Sequence, residues 1–314
     1  MKILVTEGIT ENGVAILESK GFEVIVAKVA QEQLENYIND QGISAIIVKS
    51  NTQIQQELID ACPSLKLIAS GNPTMDNIDV QYAIDQGIQI VSSKEGSANA
   101  IAELVFAHLL GMARNLHQSN REMPLEGDMN FKGLQKLYNG QELRGKTIGI
   151  IGINNSGLAT AKIALGLGMK VVISDPEQQE ADLELEFFDG QTIHFTLNTI
   201  DFEELLNESD FISVHLSAET FKLGESEFNK MKEGVCIVNC VEGGLIDEIA
   251  LVKAIEKGPV RFAALDVFES EPNPEIQLLM NPNLSLSPHL GKSTNEALEK
   301  TSIELANQIA SLLS

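Results

Sequence analysis

Residues 152–157 read Gly-Ile-Asn-Asn-Ser-Gly, directly after the apolar run TIGII and directly before the helix-patterned stretch LATAKIALGLG. A glycine turn between a buried strand and a helix presents backbone N–H groups and the positive end of a helix dipole, which suits a phosphate. The next strand-like run, MKVVISD, ends on Asp175, a carboxylate placed to accept two ribose hydroxyls. Gly152, Asn154, Asn155, Ser156, Gly157 and Asp175 therefore read as a dinucleotide site. The acid at residue 175 favours NAD over NADP, because it repels a 2′-phosphate. One position departs from the G-x-G-x-x-G pattern: its second glycine falls at residue 154, where this chain has asparagine. Asparagine tolerates positive φ, so the turn can survive, but a side chain there is expected to weaken cofactor binding by about 1–3 kcal/mol. The alternative is a Rossmann-like domain that no longer holds a nucleotide.

The other residues capable of chemistry are sparse. His289 follows Ser-Pro at the end of a strand-like run, and on those grounds alone it reads as structural. His108 falls on a long helical segment and reads as packed or at an interface, His215 as part of a strand, and His117 and His194 as surface positions. Asp247-Glu248 reads as a solvated helix start. No His, Cys or carboxylate cluster has metal-ligand spacing, so no metal site is expected. The three cysteines, Cys62, Cys236 and Cys240, are an odd set and read as buried free thiols in a reducing compartment.

Short β-rich runs alternate with amphipathic stretches from the N-terminus: KILV, FEVIVA, AIIVKS, LKLIAS and IQIVSS, each followed by a helical pattern. That alternation predicts a parallel sheet with helices on both faces. Residues 99–118 predict one long helix, and residues 119–141, with Pro124 and several charges, an irregular connection. A second α/β unit opens at Lys146 with strand-like runs TIGIIGI, MKVVISD, FISVHL, GVCIVNC, FAALDV and LSLSPH. Residues 295–313 predict a final helix that closes back on the first domain. The expected architecture is two Rossmann-like α/β domains: a flavodoxin-like substrate domain over residues 1–97 with 290–314, and a NAD-binding Rossmann domain over residues 98–289.

The chain has 314 residues, enough for two cores. Its 22 basic and 45 acidic residues give a net charge of −23, which argues against nucleic acid and anionic membranes as partners. The N-terminal apolar run is too short for a signal peptide, and residues 100–113 are interrupted by Glu103 and His108, so a cytoplasmic protein acting on a small molecule is expected.

Six ordered segments carry a resemblance: MDNID at residues 75–79, AELVFAHLLGMARN at 102–115, ELRGKTIGIIG at 142–152, EGGLIDE at 242–248, AALDVFESEP at 263–272 and SPHLG at 287–291. Together they resemble the D-isomer-specific 2-hydroxyacid dehydrogenase family over nearly the whole chain. EMPLEGD at residues 122–128 and LELEFFDGQTIHF at 183–195 resemble its bacterial phosphoglycerate dehydrogenases in particular, in a form without a C-terminal regulatory domain. The resemblance implies hydride transfer between C2 of the substrate and NAD, with a histidine exchanging the proton of the C2 oxygen and a glutamate hydrogen-bonded to that histidine. By motif position these are His289 and Glu271, and Asp266 matches the acid near the nicotinamide carboxamide. Lys49 matches a basic position that would contact a substrate phosphate, or is an exposed strand-end lysine; Ser70, Asn72 and Thr74 fall in the loop that matches the substrate-carboxylate site, and homodimers through the cofactor domain and the long helix are implied.

The same resemblance exposes departures. The family's arginine before Gly-Gly, which clamps the substrate carboxylate, is here Glu242. Losing a charge-assisted hydrogen bond costs about 1.5–3 kcal/mol, and two like charges about 4 Å apart add on the order of 4 kcal/mol at an effective dielectric of 20. Ser70 stands where phosphoglycerate dehydrogenases have an arginine, Pro73 has no N–H to offer a carboxylate, and Ser217 replaces a proline in a loop about one residue short. Lys292, after His289, is a candidate substitute cation or a solvated lysine. Three readings stay open: a working NAD-dependent oxidoreductase with an altered site, a non-catalytic homologue that binds or regulates, and an oxidoreductase whose Glu242 recognises an amine-bearing substrate.

Overall fold

The structure is a computed structural model that describes residues 1–314 except Ser50, Asn72, Pro73, Thr74, Asp76, Lys94, Glu95 and Ser314. Two compact units divide the chain, Met1–Ser97 with Ser293–Ser314, and Ala98–Lys292.

The first unit runs β1 (Lys2–Val5), α1 (Glu11–Ser19), β2 (Glu23–Val26), α2 (Gln31–Gln41), β3 (Ala45–Val48), α3 (Gln56–Ala61), β4 (Leu67–Ser70), α4 (Val80–Asp85) and β5 (Gln89–Ser92). All five strands pair in parallel in the order β2-β1-β3-β4-β5, which reverses between β1 and β3. The runs AIIV and LIAS are buried throughout, as strands covered by helices on both faces must be.

The second unit begins with α5 (Ala98–Ala113), α6 (Leu116–Glu126) and α7 (Phe131–Leu137). It continues with β6 (Thr147–Ile151), α8 (Asn155–Gly166), β7 (Lys170–Ser174), a hairpin of β8 (Glu180–Glu186) and β9 (Thr192–Asn198), α9 (Phe202–Glu208) and β10 (Phe211–Val214). Then follow α10 (Glu225–Phe228), β11 (Val235–Asn239), α11 (Glu248–Lys257), β12 (Val260–Leu265), α12 (Ile276–Leu279) and β13 (Leu284–Leu286). Its six-stranded parallel sheet has the order β13-β12-β11-β10-β6-β7 and reverses between β6 and β10. In doubly wound sheets ligands sit beyond the strand ends at such a reversal.

The last helix, α13 (Asn295–Leu313), belongs to the first unit, where Leu305, Ala306, Ile309 and Ala310 pack on Ile3, Val5 and Leu17. Spacings of four residues place these side chains on one face of the helix. Residues 290–292, which the sequence groups with the first domain, cluster with the second unit because the N–H groups of Leu290 and Gly291 both donate to Asp266.

Two local expectations are corrected. The single helix over residues 99–118 is broken at Asn115, which takes φ +52 while its side chain donates to the Asn139 carbonyl. The stretch 119–141 is mostly helical instead of irregular. Pro124 is accommodated inside α6 because no residue of that helix is buried within the protomer, so the carbonyl that proline leaves unpaired is not sealed in its core. The β8–β9 hairpin alternates acidic residues with Ala181, Leu183 and Leu185 along β8.

Candidate functional site

The turn after β6 starts at Gly152, with φ +95; a Cβ there would stand 2.8 Å from the His215 carbonyl carbon, so only glycine lets β6 and the β10 loop approach this closely. At Gly157 a Cβ would meet the Gly152 oxygen at 2.2 Å, and this glycine therefore holds α8 close to its strand. These contacts fit a dinucleotide cradle.

Asn154 behaves differently from expectation. Its φ is −69, so tolerance of positive φ is not what the turn asks of it. It is the N-cap of α8: its Oδ1 accepts from the N–H groups of Ser156 and Gly157, both at 3.1 Å, and from the Ser156 hydroxyl at 2.9 Å. Its Nδ2 donates to the His215 carbonyl at 2.6 Å. The side chain thus takes for itself two of the helix N-terminal donors that a phosphate would use. An asparagine directly before a helical pattern is a recognised N-cap signal, and it was the clue to this role in the sequence. Below it, fully buried His215 bridges the Ser156 and Ser213 hydroxyls, each at 2.8 Å, and desolvation pushes its pKa down to about 3.

Asp175 follows β7 and ties that strand end to the glycine turn. Its Oδ2 accepts from the Ile153 N–H at 2.9 Å, and its Oδ1 from the N–H groups of Glu177 and Gln178. Asn155 opens α8 and is exposed.

After β11, the buried Asn239 side chain organises the turn that carries Glu242, accepting from the Val241 N–H at 3.1 Å and donating to the Glu242 carbonyl at 2.7 Å. The carboxylate of Glu242, half-buried, accepts from the Ala218 N–H at 3.2 Å, which ties the β11 turn to the loop after β10. Among the described residues Glu242 has no ion-pair partner. Gly243 packs so closely that a Cβ would lie 2.1 Å from the Phe268 oxygen.

His289 and Glu271 meet: Nδ1 lies 2.8 Å from Glu271 Oε2, and Glu271 Oε1 accepts from the Phe268 N–H at 3.0 Å. The imidazole is half-exposed and its backbone is left-handed, φ +55. Asp266 is fully buried beneath this loop, where Ser287 Oγ at 2.5 Å and the N–H groups of Leu290 and Gly291 at 2.7 Å all donate to its carboxylate. Its carboxylate holds the His289 loop from below.

In the first unit, Lys49 is exposed just beyond β3 at the sheet reversal, with its Cβ 3.7 Å from where a Gly8 Cβ would stand. Ser70 ends β4 and is fully buried. Asn72, Pro73 and Thr74 lie outside the described residues. His117, expected at the surface, instead stacks edge-on to Phe262 at 5.0 Å with its ring nitrogens covered.

The family model described as "D-isomer specific 2-hydroxyacid dehydrogenase, NAD binding domain" matches residues 106–291. The chain is 36% identical over 316 residues to the D-3-phosphoglycerate dehydrogenase of Archaeoglobus fulgidus, covering 99% of this chain and 57% of that protein. It thus spans a little over half the length of that relative. It is 36% identical over 300 residues to the hydroxypyruvate reductase of Thermotoga maritima, covering 94% of this chain and 92% of that one. Among solved structures, an acyclic imino acid reductase in complex with NADPH and D-Arg superposes with a TM-score of 0.78 at 29% identity, covering 100% of this chain and 97% of the other.

Proposed function

Because the chain belongs to the D-isomer specific 2-hydroxyacid dehydrogenase family, we propose that it is a NAD-dependent oxidoreductase interconverting a small 2-hydroxyacid and its 2-oxo acid. The contact between His289 and Glu271 carries this reading. Glu271 accepts the Nδ1 proton, which leaves the lone pair of the neutral ring on Nε2, on the side away from the carboxylate. Bound NAD supplies the acceptor for the hydride leaving C2. As that bond breaks, Nε2 takes the hydroxyl proton; in the reverse direction the imidazolium returns it to the oxygen. Asp266 and the three donors it collects hold the His289 backbone in place, and pre-positioning of this kind is itself worth rate.

The substrate end is where this chain differs. Glu242 presents a carboxylate where the family has a cation, so the protein is expected to use carboxylate substrates weakly. The test is NADH consumption with a panel of 2-oxo acids, including hydroxypyruvate, glyoxylate and 3-phosphohydroxypyruvate, for wild type and His289→Ala. Turnover that disappears in the variant is expected; cofactor binding without turnover of any of these acids would remove the reading.

A second reading rests on Glu242 itself, a half-buried carboxylate without a cation among the described residues. Such a group suits a substrate bearing a protonated nitrogen, and a neighbouring solved structure is named an acyclic imino acid reductase. Reduction of a C=N bond formed from a 2-oxo acid and an amine, at a rate above the 2-oxo acid alone, is the discriminating result.

The protein is further expected to form homodimers through α5 to α7. Leu125 is 70% exposed, Met129 83% and Leu137 69%, beside a groove of about 450 Å³ lined in part by Asn115, Arg121, Tyr138 and Arg261. A second copy burying this arm explains apolar exposure of that extent. A cytoplasmic setting is supported by three free, buried thiols; among the described residues no helix is long and apolar enough to cross a membrane.

A further inference from the structure

His108 is an unusual residue to bury in α5, a helix whose other buried side chains are apolar. An imidazole without partners would be costly there, yet both ring nitrogens are bonded. Nδ1 lies 2.8 Å from the Ser285 hydroxyl and Nε2 lies 2.9 Å from the Ser287 hydroxyl. Ser285 lies within β13 and Ser287 just beyond it, on the approach to His289.

The donors and acceptors can be assigned from one end. An ionised carboxylate only accepts, so the Ser287 hydroxyl gives its proton to Asp266 Oδ1, at 2.5 Å. Its oxygen then receives a proton from His108 Nε2–H, and Nδ1 accepts from Ser285. This is the neutral, Nε2-protonated tautomer. Burial pushes His108 towards that neutral form, more strongly than the Asp266 charge pulls it back. The chain of bonds therefore runs in one direction, Ser285 to His108 to Ser287 to Asp266, and ends on the carboxylate that also receives Leu290 and Gly291 N–H. The Asp266 carbonyl in turn accepts from His289 N–H at 2.8 Å. A left-handed histidine persists only where its surroundings over-determine it.

We infer that His108 is a positioning residue for His289: it aims the Ser287 hydroxyl at Asp266 and so fixes the loop that carries the imidazole. The inference rests on reading His289 as the proton-exchanging group, but its geometry does not depend on turnover. A packing role for His108 makes a different prediction. If the site needs only volume, leucine serves at least as well; if it needs a donor and an acceptor, glutamine serves and leucine does not.

The test uses the whole protein labelled with 15N-histidine. Long-range 15N–1H correlation at neutral pH is expected to show His108 protonated at Nε2 and bare at Nδ1; the opposite tautomer overturns the inference. Hydrogen exchange at the Leu290 and Gly291 amides is then compared among variants. His108→Leu is expected to speed it by about tenfold or more, and His108→Gln to keep it within about threefold of wild type. Equal exchange in the two variants overturns the inference. Should His108→Leu fail to fold, Ser287→Ala removes the same hydroxyl from the loop side and is expected to give the same local acceleration, and unchanged exchange there counts against it. Where turnover is measurable, kcat should fall with the exchange pattern while KM holds. A protein with this pattern but no 2-oxo acid turnover would sink the proposed reaction and leave the positioning of His289 standing.

Discussion

Asn154 places its side-chain oxygen 3.1 Å from the Gly157 backbone nitrogen, closing the start of α8 on itself. A nucleotide phosphate reaching the same N–H groups has to displace this oxygen, together with the bond to the His215 carbonyl. The cap therefore stabilises the empty cradle at the expense of the filled one.

Asn154→Gly should tighten NADH binding by about tenfold. Glycine costs only a few tenths of a kcal/mol as an N-cap relative to asparagine, and it frees two donors. Calorimetric titration of the two proteins with NADH measures this; binding unchanged or weakened in the variant would mean that the cap does not compete.

Glu242→Arg should raise kcat/KM for 2-oxo acids by about a hundredfold or more, since it replaces a repulsion with a charge-assisted bond. Steady-state kinetics with hydroxypyruvate is the measurement. High turnover already present in wild type, and lost on this substitution, would show that Glu242 has a positive part in the native reaction. The same change removes the acceptor of Ala218 N–H, so a small loss of thermal stability accompanies it.

The pH dependence of stability follows from His215, whose pKa falls from 6.5 to about 3 through burial. Between those values the unfolded chain binds a proton that the folded chain does not, so stability rises with pH across roughly pH 3 to 6.5 and is fully present above it. Acidification should therefore cost up to a few kcal/mol. His108 and His117, both lowered chiefly by desolvation, act with the same sign. Urea midpoints measured against pH should show a shallower acid-side slope in His215→Gln than in wild type. Parallel slopes would assign the acid sensitivity to other groups.

Leu125→Glu combined with Met129→Glu should convert a dimer to a monomer in light scattering at micromolar concentration, because two charges would have to be buried in the pairing face. A wild type that is already monomeric would reject α6 as an interface.

The linear chain by itself determined the architecture. Strand runs such as AIIV and TIGII, separated by helical patterns, leave a parallel sheet as the arrangement that buries them. Gly152, Gly157 and Asp175 were legible locally, as a glycine turn between strand and helix and an acid at the next strand end, whereas Glu271 and His289, 18 residues apart, stood out only through the family resemblance. The chain fell short at α6 and α7, where tolerance of Pro124 depends on the helix lying outside the protomer's core, a property of packing. Only the tertiary structure decided what several of these residues touch. Asn154 spends its side chain on its own helix, Asp266 on the His289 loop, and His108 on two serines far along the chain. Each is a hydrogen-bonding choice among partners brought together by the folded sheet, and a sequence specifies the donors and acceptors without stating which of them will meet.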